Sequence, residues 1–172
     1  MTDAAPQALA GVRVIDLATT RAELAGRVLG DLGAEVIKVE PPQGCDARRL
    51  PPFRERPPNG PNEGSLYWAS AALGKRSVVL DIDSPEDRER LLELIDGADM
   101  LIESFDPGVM AALGLGYSTL AQRNPGLVYT SITPFGQTGP AALTPAMDLT
   151  IEASGGLIGL QGDGDRPPLA IG

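Results

Sequence analysis

Residues Gly11–Glu40 read GVRVIDLATTRAELAGRVLGDLGAEVIKVE, and this stretch decides the fold. Val12–Leu17 (VRVIDL) carries the β-branched Val12, Val14 and Ile15 and predicts a short strand. Thr20-Arg-Ala-Glu23 has the pattern of a capping box at a helix start. Leu24, Val28, Leu29 and Leu32 then fall at helical spacing, and Gly33 stands where the helix should stop. Glu35–Val39 (EVIKV) is a second strand. A strand, a helix and a strand in this length form a parallel pair joined by a right-handed crossover.

The alternation continues outward. Pro41 to Gly64 carries seven prolines without periodicity and is expected to be a long loop, which in a compact domain is usually functional. Ser65–Leu73 predicts a short helix carrying Trp68, stopped by Gly74, and Ser77–Leu80 a third strand. Ser84-Pro85-Glu86-Asp87 is a strong helix start, with a capping serine, proline at the first helical position and acids in the first turn. Leu91, Leu94 and Ile95 give that helix its apolar face, and Gly97 ends it. Met100–Ile102 leads a fourth strand, Pro107–Leu113 and Ser118–Arg123 predict short helices, and Leu127–Ile132 a fifth strand. A Gly/Pro/Thr-rich loop runs to Pro145, and Asp148–Leu160 is a helix weakened at Gly155-Gly156 by about 1 kcal/mol per glycine.

The expected architecture is α/β: a Rossmann-like, doubly wound, mostly parallel sheet with helices on both faces. The domain should occupy residues 11–160, with the Pro/Arg-rich loop at 41–64. A disordered tail is expected over 1–10, and a turn-rich segment over 161–172 leading to a missing remainder.

Composition narrows the chemistry. The 172 residues contain no histidine, so the chain holds no Ser-His-Asp triad and no His-ligated zinc, and no metal site is expected. The single cysteine, Cys45, allows neither an internal disulfide nor a four-cysteine metal site. A net charge of −9 argues against nucleic acid as a partner. The absence of a signal-like start or a long apolar run gives no membrane association and a cytoplasmic location as the expectation. Ala18-Thr19-Thr20-Arg21 stands where a dinucleotide fingerprint would be, and a Walker A motif is absent.

Ligands of such sheets bind beyond the carboxyl ends of the strands. Those ends are Leu17–Arg21, Val39–Pro42, Asp81–Asp83, Ser104–Pro107 and Thr133–Gln137. Arg48, Arg49, Arg54, Arg56, Lys75 and Arg76 form a local reversal of sign, either a polyphosphate site or solubilising charge on a loop. The ten acids of Asp81–Asp106 fit a solvated helix face. Asp148 opens a helix after a Gly/Pro loop, as an N-cap or as a carboxylate at a site mouth.

In this order the pieces resemble the N-terminal part of the class III CoA-transferases, the CaiB/BaiF family. The motifs are GVRVIDL at 11–17, LGDLGAEVIKVEPP at 29–42, GKRSVVLD at 74–81, ADMLIESFDPG at 98–108, LGLGY at 113–117, NPGLVYTSITPFGQTGP at 124–140 and RPPLAIG at 166–172. The resemblance implies movement of CoA between carboxylic acids. An aspartate carboxylate attacks the acyl-CoA thioester to form a mixed anhydride and release CoA thiolate. The thiolate returns to form an aspartyl-CoA thioester, and the acceptor acid repeats the exchange.

By the same resemblance the nucleophilic aspartate is expected a few residues past Gly172, so the chain should be inactive alone. Asp148 matches a position near the active site and is not the nucleophile. Leu80, Phe105, Ser104 and Arg21 are the candidate coenzyme A contacts, Ser104 standing where an asparagine is usual. No permanently bound cofactor is implied; coenzyme A or acyl-CoA is substrate. The implied partners are an acyl-CoA and a carboxylic acid, with a homodimer or pairing with the rest of the transferase.

Ala22-Glu23-Leu24 replaces the usual Ala-Gly-Pro turn, and Glu23 should add negative charge near the ligand. That departure raises an alternative, a degenerate non-catalytic half or subunit that supports a catalytic partner. An acyl-CoA isomerase or racemase is the further alternative, disfavoured because Met147 replaces the histidine that precedes the acid in those relatives.

Overall fold

A computed structural model describes residues 7–55, 64–160 and 165. The chain divides into two units, Met1–Ile132 and Thr133–Gly172. The first unit contains β1 (Arg13–Leu17), α1 (Glu23–Asp31), β2 (Glu35–Glu40), α2 (Leu66–Ala71), β3 (Arg76–Val79), α3 (Pro85–Asp96), β4 (Met100–Glu103), α4 (Val109–Ala112), α5 (Tyr117–Arg123) and β5 (Val128–Ser131).

The sheet order is β3-β2-β1-β4-β5, and every neighbouring pair is parallel. Strand order therefore runs one way from β1 to β3 and the other way from β4 to β5. The reversal lies between β1 and β4, where open α/β sheets leave a crevice at their carboxyl ends. Ile15 of β1 pairs with Leu101 of β4, and Leu17 with Glu103.

Side chains alternate across the sheet. On one face Ile15, Leu17, Val39 and Leu101 pack against Leu91 and Ile95 of α3, Met110 of α4 and Leu120 of α5. On the other, Val14, Val36 and Ile102 pack against Ala25 and Leu29 of α1. Each fully buried Leu or Ile here contributes roughly 1.5–3 kcal/mol. Helices thus lie on both faces, as the alternating pattern predicts.

Helix starts depart from the sequence patterns in an informative way. The capping box at Thr20–Glu23 does not form: Ala22 is the N-cap, it makes no side-chain cap bond, and Glu23 is the first helical residue. Its carboxylate turns inward, drawn by two buried lysines. Ser65 does cap α2, its Oγ accepting from Trp68 N–H at 3.1 Å. Pro85 sits at the first turn of α3, but Ser84 makes no side-chain cap bond. Asp87 of that turn instead accepts from Asp81 N–H at 2.9 Å.

Of the leading segment expected as a tail, residues 1–6 lie outside the described residues. Residues 7–10 form a turn in which Leu9 N–H donates to Leu32 O at 2.9 Å and the Leu9 side chain packs beside Val14 and Val36. The Pro/Arg-rich loop carries a 3₁₀ turn at Asp46–Arg49 and an isolated antiparallel bridge between Phe53 and Ser65; residues 56–63 lie outside the described residues.

In the second unit α6 covers Asp148–Ser154 and a 3₁₀ turn covers Leu157–Leu160. The single helix expected over 148–160 is corrected: it breaks at Gly155-Gly156, where Gly156 takes φ +78°, a left-handed conformation that ends helices. The turn-rich segment expected over 161–172 lies outside the described residues except Asp165. Among the described residues no helix is long and apolar enough to cross a membrane.

Candidate functional site

A cavity of about 190 Å³ opens at the sheet's reversal point. Leu17, Ala18 and Thr19 supply one wall as β1 ends, and Val39 and Pro41 continue it from β2. Leu80 and Ile82 follow β3, and Phe105 follows β4. Four of the five strand ends singled out in the sequence therefore contribute. Ligand pockets of this kind are mostly apolar with a few placed polar groups. The volume lies below the roughly 300–1,000 Å³ usual for pockets that enclose a whole drug-sized ligand.

The remaining wall is Gln43–Asp46, part of the long loop. Glu40, the last residue of β2, holds it there. Its buried carboxylate accepts from Arg48 Nε at 2.6 Å and Nη2 at 2.7 Å, from Cys45 N–H at 3.3 Å and from Ser77 Oγ. Arg48 also lies 4.5 Å over the Trp68 ring, a cation–π contact. Burial alone would raise the Glu40 carboxyl, but these hydrogen bonds and the Arg48 charge outweigh it and hold it at about 2. Cys45 lines the same wall. Burial, then the Glu23 and Glu40 charges, push its thiol up to about 11.

Phe105 is set by its neighbour on β4. Glu103 is buried and accepts from Phe105 N–H at 2.8 Å and from Tyr129 Oη at 3.4 Å. Burial, then the Glu103 charge, raises the Tyr129 phenol, keeping it a donor. The aromatic side chain at the cavity is thus aimed by a carboxylate beneath it.

Ser104 and Arg21 occupy different positions from Leu80 and Phe105: neither lines the cavity. Ser104 is buried, and its Oγ accepts from Thr19 N–H at 2.8 Å and lies 2.9 Å from Thr19 Oγ1. Arg21 donates to Ser104 O at 3.2 Å and pairs with Asp106 at 3.1 Å. Together they stitch the end of β1 to the end of β4 behind the wall.

Glu23 is corrected most sharply. It is not a free charge beside the cavity but is 1% exposed, within a square of two carboxylate and two lysine side chains. Lys38 Nζ lies 2.8 Å from Glu23 Oε1 and 3.4 Å from Asp16 Oδ1. Lys75 Nζ lies 2.8 Å from Asp16 Oδ2 and 3.3 Å from Glu23 Oε2. Burial pushes the Glu23 carboxyl up, against the pull of Lys38 and Lys75.

The basic cluster read as either a polyphosphate site or solubilising charge is largely engaged with the protein's own acids. Arg48 is held by Glu40, Arg49 by Asp46, Arg76 by Glu35 at 2.7 Å, and Lys75 by the buried square. Arg54 is exposed, and Arg56 lies outside the described residues. Asp148 belongs to the second unit, where it is exposed at the first position of α6; Met147 is the N-cap, without a side-chain bond. Asp148 is therefore a first-turn acid rather than the cap. Among the described residues no group of three or more carboxylate or thiol side chains could hold a metal ion.

Sequence reasoning did not assign their observed roles to two sets of residues here. Gln43–Asp46 carried no periodicity to mark them as a wall. Asp16, Lys38 and Lys75 did leave a signal: Asp16 and Lys38 are charges inside apolar strand runs, which in a sheet covered on both faces must find buried partners.

The family model for CoA-transferase family III matches residues 9–172. A succinate–glutarate CoA-transferase of Agrobacterium fabrum is 41% identical over 167 residues, which are 95% of this chain and 42% of that protein. An acetyl-CoA:oxalate CoA-transferase of Acetobacter aceti is 41% identical over 164 residues, 94% of this chain and 40% of that protein. The crystal structure of a CaiB/BaiF family protein from Brucella suis superposes with a TM-score of 0.87 at 40% identity, covering 96% of this chain and 44% of the other. The chain thus spans about two-fifths of the length of these curated relatives.

Proposed function

The chain belongs to CoA-transferase family III, and we propose that it forms the coenzyme-holding N-terminal part of an acyl-CoA:carboxylate CoA-transferase. The cavity at the reversal between β1 and β4 takes the adenine end of coenzyme A, against Leu80 and Phe105. Arg21 and Ser104 support its rim through Thr19 and Asp106. One observation carries this reading: Leu80 and Phe105, named from sequence resemblance, meet at the crevice where such sheets bind ligands.

The substrates are an acyl-CoA and a carboxylic acid, with no resident cofactor. Coenzyme A passes through an aspartyl carboxylate, and these residues supply the coenzyme-binding side of that exchange. Asp148 stands near that chemistry as a supporting acid. A homodimer or pairing with the rest of a longer transferase, and a cytoplasmic location, complete the proposal.

The alternative of a decayed, non-catalytic copy drew on the replaced turn at Ala22–Leu24. The turn remains replaced, and within it Glu23 is a buried partner of two lysines rather than a stray charge.

Titrating coenzyme A into the chain by calorimetry tests the reading. Saturable 1:1 binding is expected, competed by adenosine 3′,5′-bisphosphate. An absence of heat and of competition overturns it.

A further inference from the structure

We infer that Asp16, Glu23, Lys38 and Lys75 are positioning residues: a buried ionic frame that sets the Ala18–Thr19 wall of the coenzyme cavity. This rests on the proposed coenzyme site.

Ala18 is held at both of its main-chain polar groups. Its N–H donates to Asp16 Oδ1 at 2.9 Å, and its carbonyl accepts from Lys38 Nζ. The next peptide N–H, that of Thr19, donates to Ser104 Oγ at 2.8 Å. The main chain of this wall is therefore turned into the protein, and the cavity meets only what remains.

The frame also fixes where the wall ends. Lys75 Nζ donates to Glu23 O at 2.8 Å as well as meeting the Glu23 carboxylate, so the first residue of α1 is tied by side chain and main chain together. Residues 17–22 span the gap between Asp16 and Glu23 and have both ends anchored to this one square of side chains. Gly26 admits this arrangement. A Cβ there would collide with Asp16 Oδ2, come within 3.0 Å of Asp16 Cγ and lie 3.2 Å from Lys75 Cε.

Stability does not account for the frame. A buried ion pair pays heavy desolvation, and well-packed apolar side chains of the same volume are often as stable. Such a replacement would leave the Ala18 carbonyl without its donor and its N–H without its acceptor. The two lysines balance the two carboxylates, and each lysine contacts both. Charge is thereby neutralised while direction is retained.

The test uses the full chain and the charge-balanced double variant Glu23→Gln/Lys75→Met, whose side chains make neither of the Ala18 main-chain hydrogen bonds named above. NMR amide exchange reads the wall without any ligand, and calorimetry with coenzyme A reads the site. Exchange at Ala18 and Thr19 should accelerate about tenfold while Leu101 in the sheet centre is unchanged. Coenzyme A affinity should fall by about tenfold through the added cost of ordering the wall. If the double variant does not fold, Glu23→Asp, which keeps the charge and shortens its reach, should show the same two changes. A folded variant with wild-type exchange at Ala18 and wild-type affinity overturns the inference alone. Failure of the unaltered chain to bind coenzyme A overturns the site, and the inference with it.

Discussion

Glu40 holds Arg48 through two nearly parallel hydrogen bonds, 2.6 Å from Nε and 2.7 Å from Nη2, so the last residue of a central strand grips a loop eight residues on. This bidentate pair, the strongest common form of charged hydrogen bond, makes part of an otherwise irregular loop into a fixed cavity wall.

Acid should release that grip. Between the ordinary value of 4.5 and the folded value of about 2, the folded protein binds fewer protons at Glu40 than the unfolded chain does. Its stabilisation is therefore fully present above pH 4.5 and is lost as pH falls toward 2. The contribution is on the order of 3 kcal/mol. Urea unfolding followed from pH 6 to pH 2 should show a shallower loss in Glu40→Gln than in the unaltered protein, and equal slopes would contradict the assignment.

Two glycines of α1 should respond oppositely to alanine. Helix propensity alone favours either change by about 1 kcal/mol. At Gly30 a Cβ would meet only Val36 Cγ2 at 3.6 Å, so Gly30→Ala should be neutral or stabilising. At Gly26 the Cβ would strike Asp16, and overpacking of this kind costs about 1–3 kcal/mol, so Gly26→Ala should be destabilising on balance. Thermal denaturation of the pair gives the signs directly.

Cys45 should react slowly. With its thiol near 11, the thiolate fraction at pH 8 is about a hundredfold below that of an ordinary exposed cysteine. Ellman's reagent in native buffer should label it on a correspondingly longer timescale and fully only in denaturant. Coenzyme A should slow it further, because Cys45 lines the cavity.

Ser104→Ala separates support from contact. The variant strands the Thr19 N–H, which should cost about 1–3 kcal/mol of stability. Because the serine does not line the cavity, coenzyme A affinity should weaken less than in Phe105→Ala, which removes a wall of the proposed coenzyme site. Calorimetry on both variants distinguishes them; a larger loss in Ser104→Ala would mean that its hydroxyl reaches the ligand.

The strand–helix alternation was legible because its signals are local. Runs such as VRVIDL and EVIKV, followed by residues at helical spacing and closed by glycine, need no knowledge of distant partners. The same locality explains the failures. Thr20–Glu23 satisfies a capping rule on paper, yet two lysines fifteen and fifty-two positions beyond Glu23 draw its carboxylate inward instead. Asp148–Leu160 carries enough apolar residues for one helix, yet the left-handed Gly156 divides it.

By itself, then, the sequence determined an α/β chain with five strands, the stretches that end them, and Leu80 and Phe105 as residues to watch. The tertiary structure decided which of those ends converge, that Gln43–Asp46 joins them, and that Asp16, Glu23, Lys38 and Lys75 form one buried square. Periodicity is read over a few residues, where backbone geometry dominates. Ionic partnership in a low-dielectric interior depends on distance in space, and parallel crossovers place residues 16, 23, 38 and 75 within hydrogen-bonding reach.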